Sequence, residues 1–352
     1  MEKHIKCLMV GPGPKERGGI SAVINTYLQI GFRDNIEIKY ITTYKDGNKL
    51  YKLLIFLGAL FKLLIYIGFA DIVHIHMAGG ASFYRKAIVA QMAHMFNKKI
   101  IIHQHGGAFD QFYRKADLRK RQLIKSVFSH ADRVILLSKE WKDFFVKEIC
   151  EEDKAIVVFN GVIIPDFQRY DYSDKNLLFI GRIDEKKGIY DLLEAFSKVV
   201  HIDKELRLYV AGVGEEEKLM KKAKLLCIED KVKLLGWVRG KEKERIMRKC
   251  SIMILPSYTE GMPISVLEAM SYGMCTIASD VGGIPQIIDD DVNGLLIKAG
   301  HPEMIEQRVN YLIKYPEEKE RMGCDARTKI CKEFDAQIGQ VKIQELYCEL
   351  VR

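Results

Sequence analysis

The fold is decided by one stretch of the sequence, Ser257-Tyr258-Thr259-Glu260-Gly261-Met262-Pro263-Ile264-Ser265-Val266-Leu267-Glu268-Ala269-Met270. It follows a short apolar run at residues 251–255 that is typical of a buried parallel strand. Pro263 suits the first position of a helix, because the N–H there has no helical partner and the φ of proline is already helical. The stretch therefore predicts a strand, a tight loop and the start of a helix.

The same stretch combines groups that suit two parts of one ligand. The N–H groups at a helix start favour an anion such as phosphate, and Gly261 lacks a Cβ, so the backbone can approach a ligand. Glu260 and Glu268 would repel a bare phosphate but can accept hydrogen bonds from sugar and ribose hydroxyls. A nucleotide sugar meets both requirements. Ordinary α/β construction with two surface glutamates is the alternative.

Size and composition limit the class of protein. The chain of 352 residues is long enough for two domains, and its net charge of +8 favours nucleotide phosphates or an acidic lipid surface. No segment has the aromatic and basic pattern of a nucleic-acid module, so we expect no nucleic-acid partner. The eight cysteines lack metal or redox spacing, which predicts buried free thiols in a reducing cytoplasm. The N-terminus leads directly into a strand, so we expect no signal peptide.

Strand-like and helix-like runs alternate through the first half of the chain. The predicted strands cover residues 5–10, 36–41, 72–75, 100–103, 134–137 and 156–159. The predicted helices cover residues 20–30, 50–67, 82–96, 110–129 and 139–149. Repeated β–α units predict an α/β fold with a doubly wound parallel sheet that binds ligands at the carboxyl ends of its strands. Those ends carry His74, His76, His103 and His105.

Glycines follow the first predicted strand in two groups. Gly11 and Gly13 flank a proline in the turn, and Gly18-Gly19 come at the start of the next helix. This is not the dinucleotide-binding fingerprint, because the glycine pair comes too late. Gly18 and Gly19 lie where a backbone could approach a phosphate, whereas the first turn could be an ordinary surface turn.

The β–α pattern restarts after a polar, irregular segment at residues 165–174, which we interpret as a linker. We expect two Rossmann-like domains, at residues 1–165 and 166–335, facing each other across a cleft that is the default binding site. A last helix at residues 336–352 is expected to pack back on the first domain.

Arg182 and Lys187 follow the first strand of the second half, in the segment Gly181-Arg182-Ile183-Asp184-Glu185-Lys186-Lys187-Gly188. Arg182 has a planar fork that matches phosphate oxygens, and Lys187 carries a mobile point charge. Together they could stabilise a leaving diphosphate without a metal. The alternative for Arg182 is a surface salt bridge to Asp184 or Glu185, which would contribute little to stability.

The most hydrophobic stretch of the chain is at residues 53–69. It is slightly short for a membrane span, and Lys49, Lys52 and Lys62 lie on or beside it. A helix that lies on a membrane surface is one interpretation. A core helix that flanks the sheet is the other, and one helix can be both.

Three motifs together resemble the retaining glycosyltransferases of family 4, which have the two-domain GT-B fold. They are Gly181-Arg182-x4-Lys187-Gly188, Glu260-Gly261-x-Pro263 followed by Glu268, and Asp280-x-Gly282-Gly283-x-Pro285. The segments 160–162, 212–214 and 235–238 also resemble the family's pattern. Residues 74–86 are similar to the polysaccharide-assembly branch of the family, which implies acceptor contacts there.

The resemblance implies a role for each matching residue. Arg182 and Lys187 would bind the donor diphosphate, Glu260 the transferred sugar and Glu268 the ribose, and His105 matches the family's histidine near the sugar. The sequence does not decide which of His74, His76, His103 and His105 faces that sugar. The remaining donor-binding positions are Gly18, Gly19, Gly181, Gly212, Val238, Gly261, Met262, Pro263 and Ile264.

The expected activity is retaining, metal-independent transfer of a hexosyl or N-acetylhexosaminyl group. The donor would be a nucleotide-diphosphate sugar, expected to be UDP-linked, bound by the C-terminal domain; no other cofactor is expected. The N-terminal domain would bind a glycan or polyprenyl-linked acceptor for polysaccharide biosynthesis, in the cytoplasm or at the inner face of the plasma membrane. The alternatives are a nucleotide-sugar epimerase of the same fold and a non-catalytic, sugar-nucleotide-binding membrane subunit.

Overall fold

A computed structural model describes residues 3–166 and 172–352 of the chain. The chain forms two compact units, one of Met1–Ile163 with Ala336–Arg352 and the other of Ile164–Asp335. The sequence-based boundary after residue 165 therefore lies slightly beyond the structural one. The predicted linker at residues 165–174 lies partly outside the described residues.

The first unit is built on a six-stranded parallel sheet. Its strands in chain order are Ile5–Gly11 (β1), Ile36–Thr42 (β2), Ile72–Met77 (β3), Lys99–Gln104 (β4), Arg133–Leu136 (β5) and Ala155–Val157 (β6). Their order in the sheet is β2-β1-β3-β4-β5-β6. All six residues of β3 are buried. Helices cover both faces of such a sheet, which is why its strands read as continuous apolar runs.

Six helices connect these strands. They are Gly19–Ile30 (α1), Lys49–Ile67 (α2), Ala81–Met95 (α3), Phe109–Arg114 (α4), Leu118–Ser129 (α5) and Lys139–Glu148 (α6). A single helix over residues 110–129 is therefore wrong. Asp117 interrupts it with extended backbone and caps α5, where its side chain accepts a hydrogen bond from the Lys120 N–H at 2.9 Å. An aspartate favours that position because it pairs a donor that the helix leaves unpaired.

The second unit repeats the architecture with another strand order. Its strands are Leu177–Ile180 (β7), Leu208–Ala211 (β8), Val232–Gly236 (β9), Ile252–Leu255 (β10), Cys275–Ser279 (β11) and Leu295–Ile297 (β12). Its helices are Ile189–Ile202 (α7), Glu216–Leu225 (α8), Gly240–Lys249 (α9), Ile264–Ser271 (α10), Ile284–Ile287 (α11), Pro302–Lys314 (α12) and Pro316–Glu333 (α13). The sheet order is β12-β11-β10-β7-β8-β9, and all neighbours are parallel. The predicted α/β fold of two doubly wound parallel sheets is confirmed.

The last helix, Ala336–Val351 (α14), belongs to the first unit although it follows the second in sequence. Its Gln344 side chain accepts a hydrogen bond from the Arg33 N–H at 2.8 Å, just beyond α1. Glu349 is 2.6 Å from the Arg133 guanidinium at the start of β5, and Tyr347 is completely buried. These contacts fix α14 on one face of the first sheet.

The cysteines only partly match the expected burial. No disulfide joins any of the eight, all of which lie in the described ranges. Cys7, Cys250 and Cys275 are buried as expected, and two others are partly exposed. Three cysteines are exposed, contrary to the prediction, because they follow or lie on the solvent side of helices: Cys227, Cys324 and Cys331.

Candidate functional site

The carboxyl edge of the second sheet has a crevice where β7 and β10 lie side by side. From β7 the chain continues outward through β8 and β9, and then returns to β10 on the other side of β7. The connections that leave β7 and β10 therefore run in opposite directions along the sheet, and open α/β sheets bind their ligands at such a point. Those loops carry two of the sequence motifs, at residues 181–188 and 256–263.

Lys187 and Glu260, one from each loop, form an ion pair at this crevice. Lys187 Nζ lies 2.5 Å from Glu260 Oε1; 8% of the glutamate side chain is exposed and 27% of the lysine side chain. A 3-10 turn at Glu185–Lys187 presents the lysine, and Asp184 caps this turn by accepting a hydrogen bond from the Lys187 N–H at 3.1 Å. The crevice thus contains a partly exposed ammonium group held by a buried carboxylate.

Glu268 has a partner that the sequence reasoning missed. Lys243, on α9, donates a hydrogen bond to Glu268 Oε2 on α10, and both side chains are about a quarter exposed. Lys243 precedes the buried Ile246 and Met247 by three and four residues, so it lies on the inward face of α9. That helical spacing is the signal that could have identified it.

Arg182 is paired with a different carboxylate from Lys187. Its side chain is 74% exposed, and its Nε is 3.2 Å from Asp184 Oδ2. This is the surface salt bridge that the sequence left open as the alternative. The structure therefore brings Lys187 to Glu260 and Lys243 to Glu268, while the diphosphate contact of Arg182 stays a prediction.

Two glycines are required by close backbone contacts around the crevice. A Cβ on Gly212 would lie 1.8 Å from the carbonyl oxygen of Gly181. Gly282 has a φ of +56°, and a Cβ there would lie 2.0 Å from the carbonyl oxygen of Glu260. Gly283 also donates its N–H to the carbonyl oxygen of Gly261 at 2.6 Å. The loop after β11 therefore supports the backbone that carries Glu260.

The helix after the Glu260 loop begins later than predicted. Pro263 has a ψ of 116°, which is extended backbone, so it precedes α10 and Ile264 is the first helical residue. Met262 is buried, as is Val238 after β9.

In the first unit, the glycine pair lies at the start of α1. Gly18 has a φ of +126° and Gly19 is the first residue of the helix. A Cβ on either glycine would meet no atom within 4 Å among the described residues. Internal packing does not require glycine there, and the space in front of the helix is open.

The four histidines form one stack beneath α1 and α14. His74 and His76 alternate on β3, and His76 is paired in register with His103 on β4. Ring centroids are 4.6 Å apart for His74–His76 and 4.1 Å apart for His103–His105. His74 Nδ1 is 2.5 Å from the Tyr347 hydroxyl, and His76 Nδ1 is 2.8 Å from His105 Nε2.

Burial keeps this stack uncharged. Desolvation lowers the pKa of His74 and His105 to about 3 and holds the pKa of His76 and His103 well below the usual value. His74, His76 and His103 are fully buried, whereas His105 is half-buried. A neutral imidazole can donate and accept hydrogen bonds, so His105 is the member of the stack that suits a sugar hydroxyl.

The stack also raises the question of a metal site. One nitrogen from each of His74, His76 and His103 lies within 4.8 Å of the others. The rings are nearly parallel, with interplanar angles of 14° to 29°. The lone pair of an imidazole nitrogen lies in the plane of its ring. Because the three ring planes are nearly parallel, their lone pairs do not converge on one tetrahedral ion. This arrangement does not fit a metal centre.

Comparison with known families assigns both halves of the chain. The family described as Glycosyltransferase Family 4 matches residues 16–164, and the family described as Glycosyl transferases group 1 matches residues 164–329. The chain belongs to the family 4 glycosyltransferases. The family and the GT-B fold that the sequence motifs predicted are confirmed.

Relatives of this glycosyltransferase occur in archaea and bacteria. A glycosyltransferase of Methanocaldococcus jannaschii is 28% identical over 284 residues, which are 80% of this chain and 76% of that protein. The UDP-Gal:alpha-D-GlcNAc-diphosphoundecaprenol alpha-1,3-galactosyltransferase of Escherichia coli is 26% identical over 350 residues, 90% of this chain and 85% of that enzyme. The crystal structure of Anabaena HepE in complex with UDP matches with a TM-score of 0.79 at 15% identity, covering 98% of this chain and 100% of that one.

Proposed function

We propose that this glycosyltransferase moves a hexosyl or N-acetylhexosaminyl group from a UDP-linked donor to a lipid-linked glycan, with retention and without a metal ion. The names of its relatives support both substrates. The E. coli enzyme takes its sugar from a UDP donor and transfers it to a diphosphoundecaprenol-linked acceptor. HepE, which has the same fold, has been crystallised with UDP-glucose.

The observation that carries this proposal is the Lys187–Glu260 pair in the crevice between β7 and β10. Glu260 accepts hydrogen bonds from the hydroxyls of the transferred sugar and holds the Lys187 ammonium beside the diphosphate. Glu268, fixed by Lys243, binds the ribose hydroxyls. The surface pair of Arg182 with Asp184 is worth at most about 1 kcal/mol, so Arg182 can exchange it for a bidentate contact with phosphate.

The reaction then follows from where charge develops. The bond between the anomeric carbon and the diphosphate oxygen breaks, and the acceptor oxygen forms the new bond on the same face. The acceptor proton passes to the departing phosphate oxygen. Lys187 and Arg182 stabilise the negative charge that grows on the diphosphate, and such fixed charges lower a barrier most where charge appears. Glu260 positions the sugar and forms no covalent bond to it.

The direct test is a donor panel. Purified protein is incubated with a polyprenyl-diphosphate-linked glycan and with UDP-, GDP- or dTDP-linked sugars, and released nucleoside diphosphate and glycosylated products are identified by mass spectrometry. We expect one UDP-sugar to be consumed in the presence of chelator, with an α-linked product by NMR. Glu260→Gln should lose most of the activity, whereas Glu185→Gln, an exposed neighbour, should keep it. Release of no nucleoside diphosphate from any donor would contradict the proposal.

We also propose that α2 rests on the membrane that holds the acceptor. This helix of 19 residues is long and apolar enough to cross a membrane by length and composition, and 22% of its apolar window is buried in the protein. Phe56, Ala59, Leu63 and Ile67 face the core. The opposite face exposes a row of large apolar side chains: Leu50, Leu53, Leu54, Leu57, Phe61, Leu64 and Ile65. A helix anchored by one face and apolar on the other suits shallow insertion.

Lys49, Lys52 and Lys62 would add electrostatic attraction to anionic lipid, about 1 kcal/mol for each lysine near the surface. Leu57→Glu with Phe61→Glu should abolish co-flotation with phosphatidylglycerol vesicles. Leu225→Glu changes a still more exposed leucine on α8 in the second unit and should leave flotation unchanged. Equal flotation of all these proteins would contradict membrane contact through α2.

A further inference from the structure

Two neighbouring cations on α3, Arg85 and Lys86, lie inside the first unit without an acid. Lys86 is 1% exposed, and Arg85 is half-buried. Among the residues that the structure describes, no carboxylate forms an ion pair with either. Lysine is almost never fully buried unless it is paired, so this site requires an explanation.

The ammonium of Lys86 has one protein partner. Its Nζ donates a hydrogen bond to Thr43 Oγ1 at 2.5 Å, and that hydroxyl donates in turn to the carbonyl oxygen of Gly11 at 2.9 Å. An ammonium has three protons, so two are left without a partner in the described chain. Burial, and then the charge of Arg85, lower the pKa of Lys86 to about 7. The protein by itself thus disfavours the charged form of a residue that it nevertheless encloses.

Arg85 also lacks hydrogen-bond partners for part of its side chain among the described residues. Its guanidinium carbon lies 5.0 Å from the centre of the Tyr44 ring. Its Nε is buried and has no hydrogen-bond partner. Burial lowers its pKa as well. A planar fork with an unpaired donor is the group that proteins use for bidentate contacts to phosphate oxygens.

The location of the two cations connects them to the carboxyl edge of the first sheet. Gly11 ends β1, and Thr43 and Tyr44 directly follow β2. The Tyr44 carbonyl oxygen also accepts the N–H of Gly13 at 2.8 Å, which ties this site to the loop that leads to α1. Lys52, on α2, also contacts Tyr44, and its Nζ is 5.2 Å from the ring centre. The site therefore lies beside the first turn of the helix with the exposed apolar face.

We propose that Arg85 and Lys86, with the Lys86 ammonium oriented by Thr43, form a binding site for the diphosphate that joins the acceptor glycan to its lipid carrier. This inference rests on the proposed function, since it supplies the acceptor side of the same transfer. A diphosphate provides the two negative charges and the acceptor oxygens that the cations lack. Its position next to α2 places the anion where a carrier lipid leaves the membrane surface.

A structural role for Lys86 makes the opposite prediction about stability. If its hydrogen bond to Thr43 were its purpose, removing it would destabilise the fold. If the ammonium waits for an anion, Lys86→Met fills the same space without a buried charge, and the empty protein becomes more stable. The stability of the variant therefore separates a ligand-binding lysine from a structural one.

The test uses the full chain and two soluble probes, inorganic pyrophosphate and farnesyl diphosphate, with affinities measured by isothermal titration calorimetry. We expect Arg85→Gln and Lys86→Met each to weaken farnesyl diphosphate binding about tenfold, as for the loss of one charge-assisted hydrogen bond. UDP affinity should stay within twofold of the wild type. Arg119→Gln and Lys147→Met, which remove exposed cations on α5 and α6, are the matched controls and should bind as the wild type.

Three results would overturn the site. The first is unchanged farnesyl diphosphate affinity in both folded variants. The second is a parallel loss of UDP affinity, which would assign the cations to the donor. The third is loss of binding to phosphatidylglycerol vesicles with farnesyl diphosphate binding intact, which would assign them to a lipid headgroup. If the donor panel shows no activity but the variants still lose farnesyl diphosphate, the anion site stands and the proposed transfer fails.

Discussion

The two units have the same number of parallel strands but treat charge in opposite ways. At the carboxyl edge of the second sheet, Lys187 is paired with Glu260 and Lys243 with Glu268. At the edge of the first sheet, four imidazoles are kept neutral, and Arg85 and Lys86 have no acid beside them. At the edge of the second sheet these two lysines have carboxylate partners without a ligand, whereas at the edge of the first sheet Arg85 and Lys86 have none in the described part of the chain.

This difference in charge pairing predicts a difference in how the two units would bind a substrate. Paired groups are already oriented, so a ligand at the second edge meets a preorganised site. Burying unpaired cations at the first edge costs desolvation free energy, which the proposed anionic ligand would offset. Under the proposed function, the second unit would bind a small, soluble donor and the first unit an acceptor that brings its own charge.

The largest effect is expected from breaking the preorganised pair. Lys187→Met should reduce kcat by about 10²- to 10³-fold, as for the loss of one group that stabilises a developing anion. Lys186→Met, which removes an exposed ammonium one residue away, should leave kcat within twofold. Steady-state kinetics with the active donor measure both. Equal kcat values for the two variants would place the catalytic charge elsewhere.

The next effect concerns the backbone under Glu260. Gly282→Ala puts a methyl group 2.0 Å from the Glu260 carbonyl oxygen, at a residue whose φ is +56°. A strained backbone conformation alone costs about 1–3 kcal/mol. Because the methyl group also clashes with the carbonyl oxygen, we expect a larger loss of stability than that. Gly240→Ala is the control, because Gly240 has a similar φ of +50° and no atom of the described residues lies within 4 Å of the new methyl group. Chemical denaturation should show a clearly larger loss for Gly282→Ala. Equal losses would mean that the close contact does not constrain the loop.

Lys86, the buried lysine of the first unit, should make the free energy of unfolding depend on pH. The folded-state pKa of Lys86 is about 7, below its ordinary value, because of burial and the charge of Arg85; His76, also nearby, stays neutral. Above pH 7 the folded chain loses this proton while the unfolded chain keeps it, so stability rises with pH up to about pH 10. Between pH 7 and 9 the wild type should gain about 2 kcal/mol relative to Lys86→Met. Parallel pH profiles of the wild type and Lys86→Met would show that burial does not lower the pKa of Lys86.

The smallest effect is expected for Lys243. Lys243→Met releases Glu268 and should raise the KM for the donor about tenfold, the usual cost of one charged hydrogen bond, with kcat nearly unchanged. Lys241→Met, on the same helix turn but exposed, is the control. A fall in kcat without a change in KM would contradict a role in ribose binding.

Alternation of apolar runs predicted most strands and helices, because parallel strands covered on both faces need continuous apolar sequence. The interruption between α4 and α5 at Asp117 could have been predicted from the sequence, since an aspartate before a helical turn is a strong capping signal. The family motifs identified Lys187, Glu260 and Glu268, but spacing does not report which cation meets which acid. Lys243 and the isolation of Lys86 depend on side chains that come together only through packing of distant segments.

The position of α14 has a consequence for the order in which the chain can assemble. Residues 164–335 contain a complete sheet with its helices, so this part can fold as soon as it leaves the ribosome. The earlier part must wait for residues 336–351 before Tyr347 can cover His74 and Gln344 can meet Arg33. The segment made first is therefore finished last, and until then its histidine-lined face stays open to water and to chaperones.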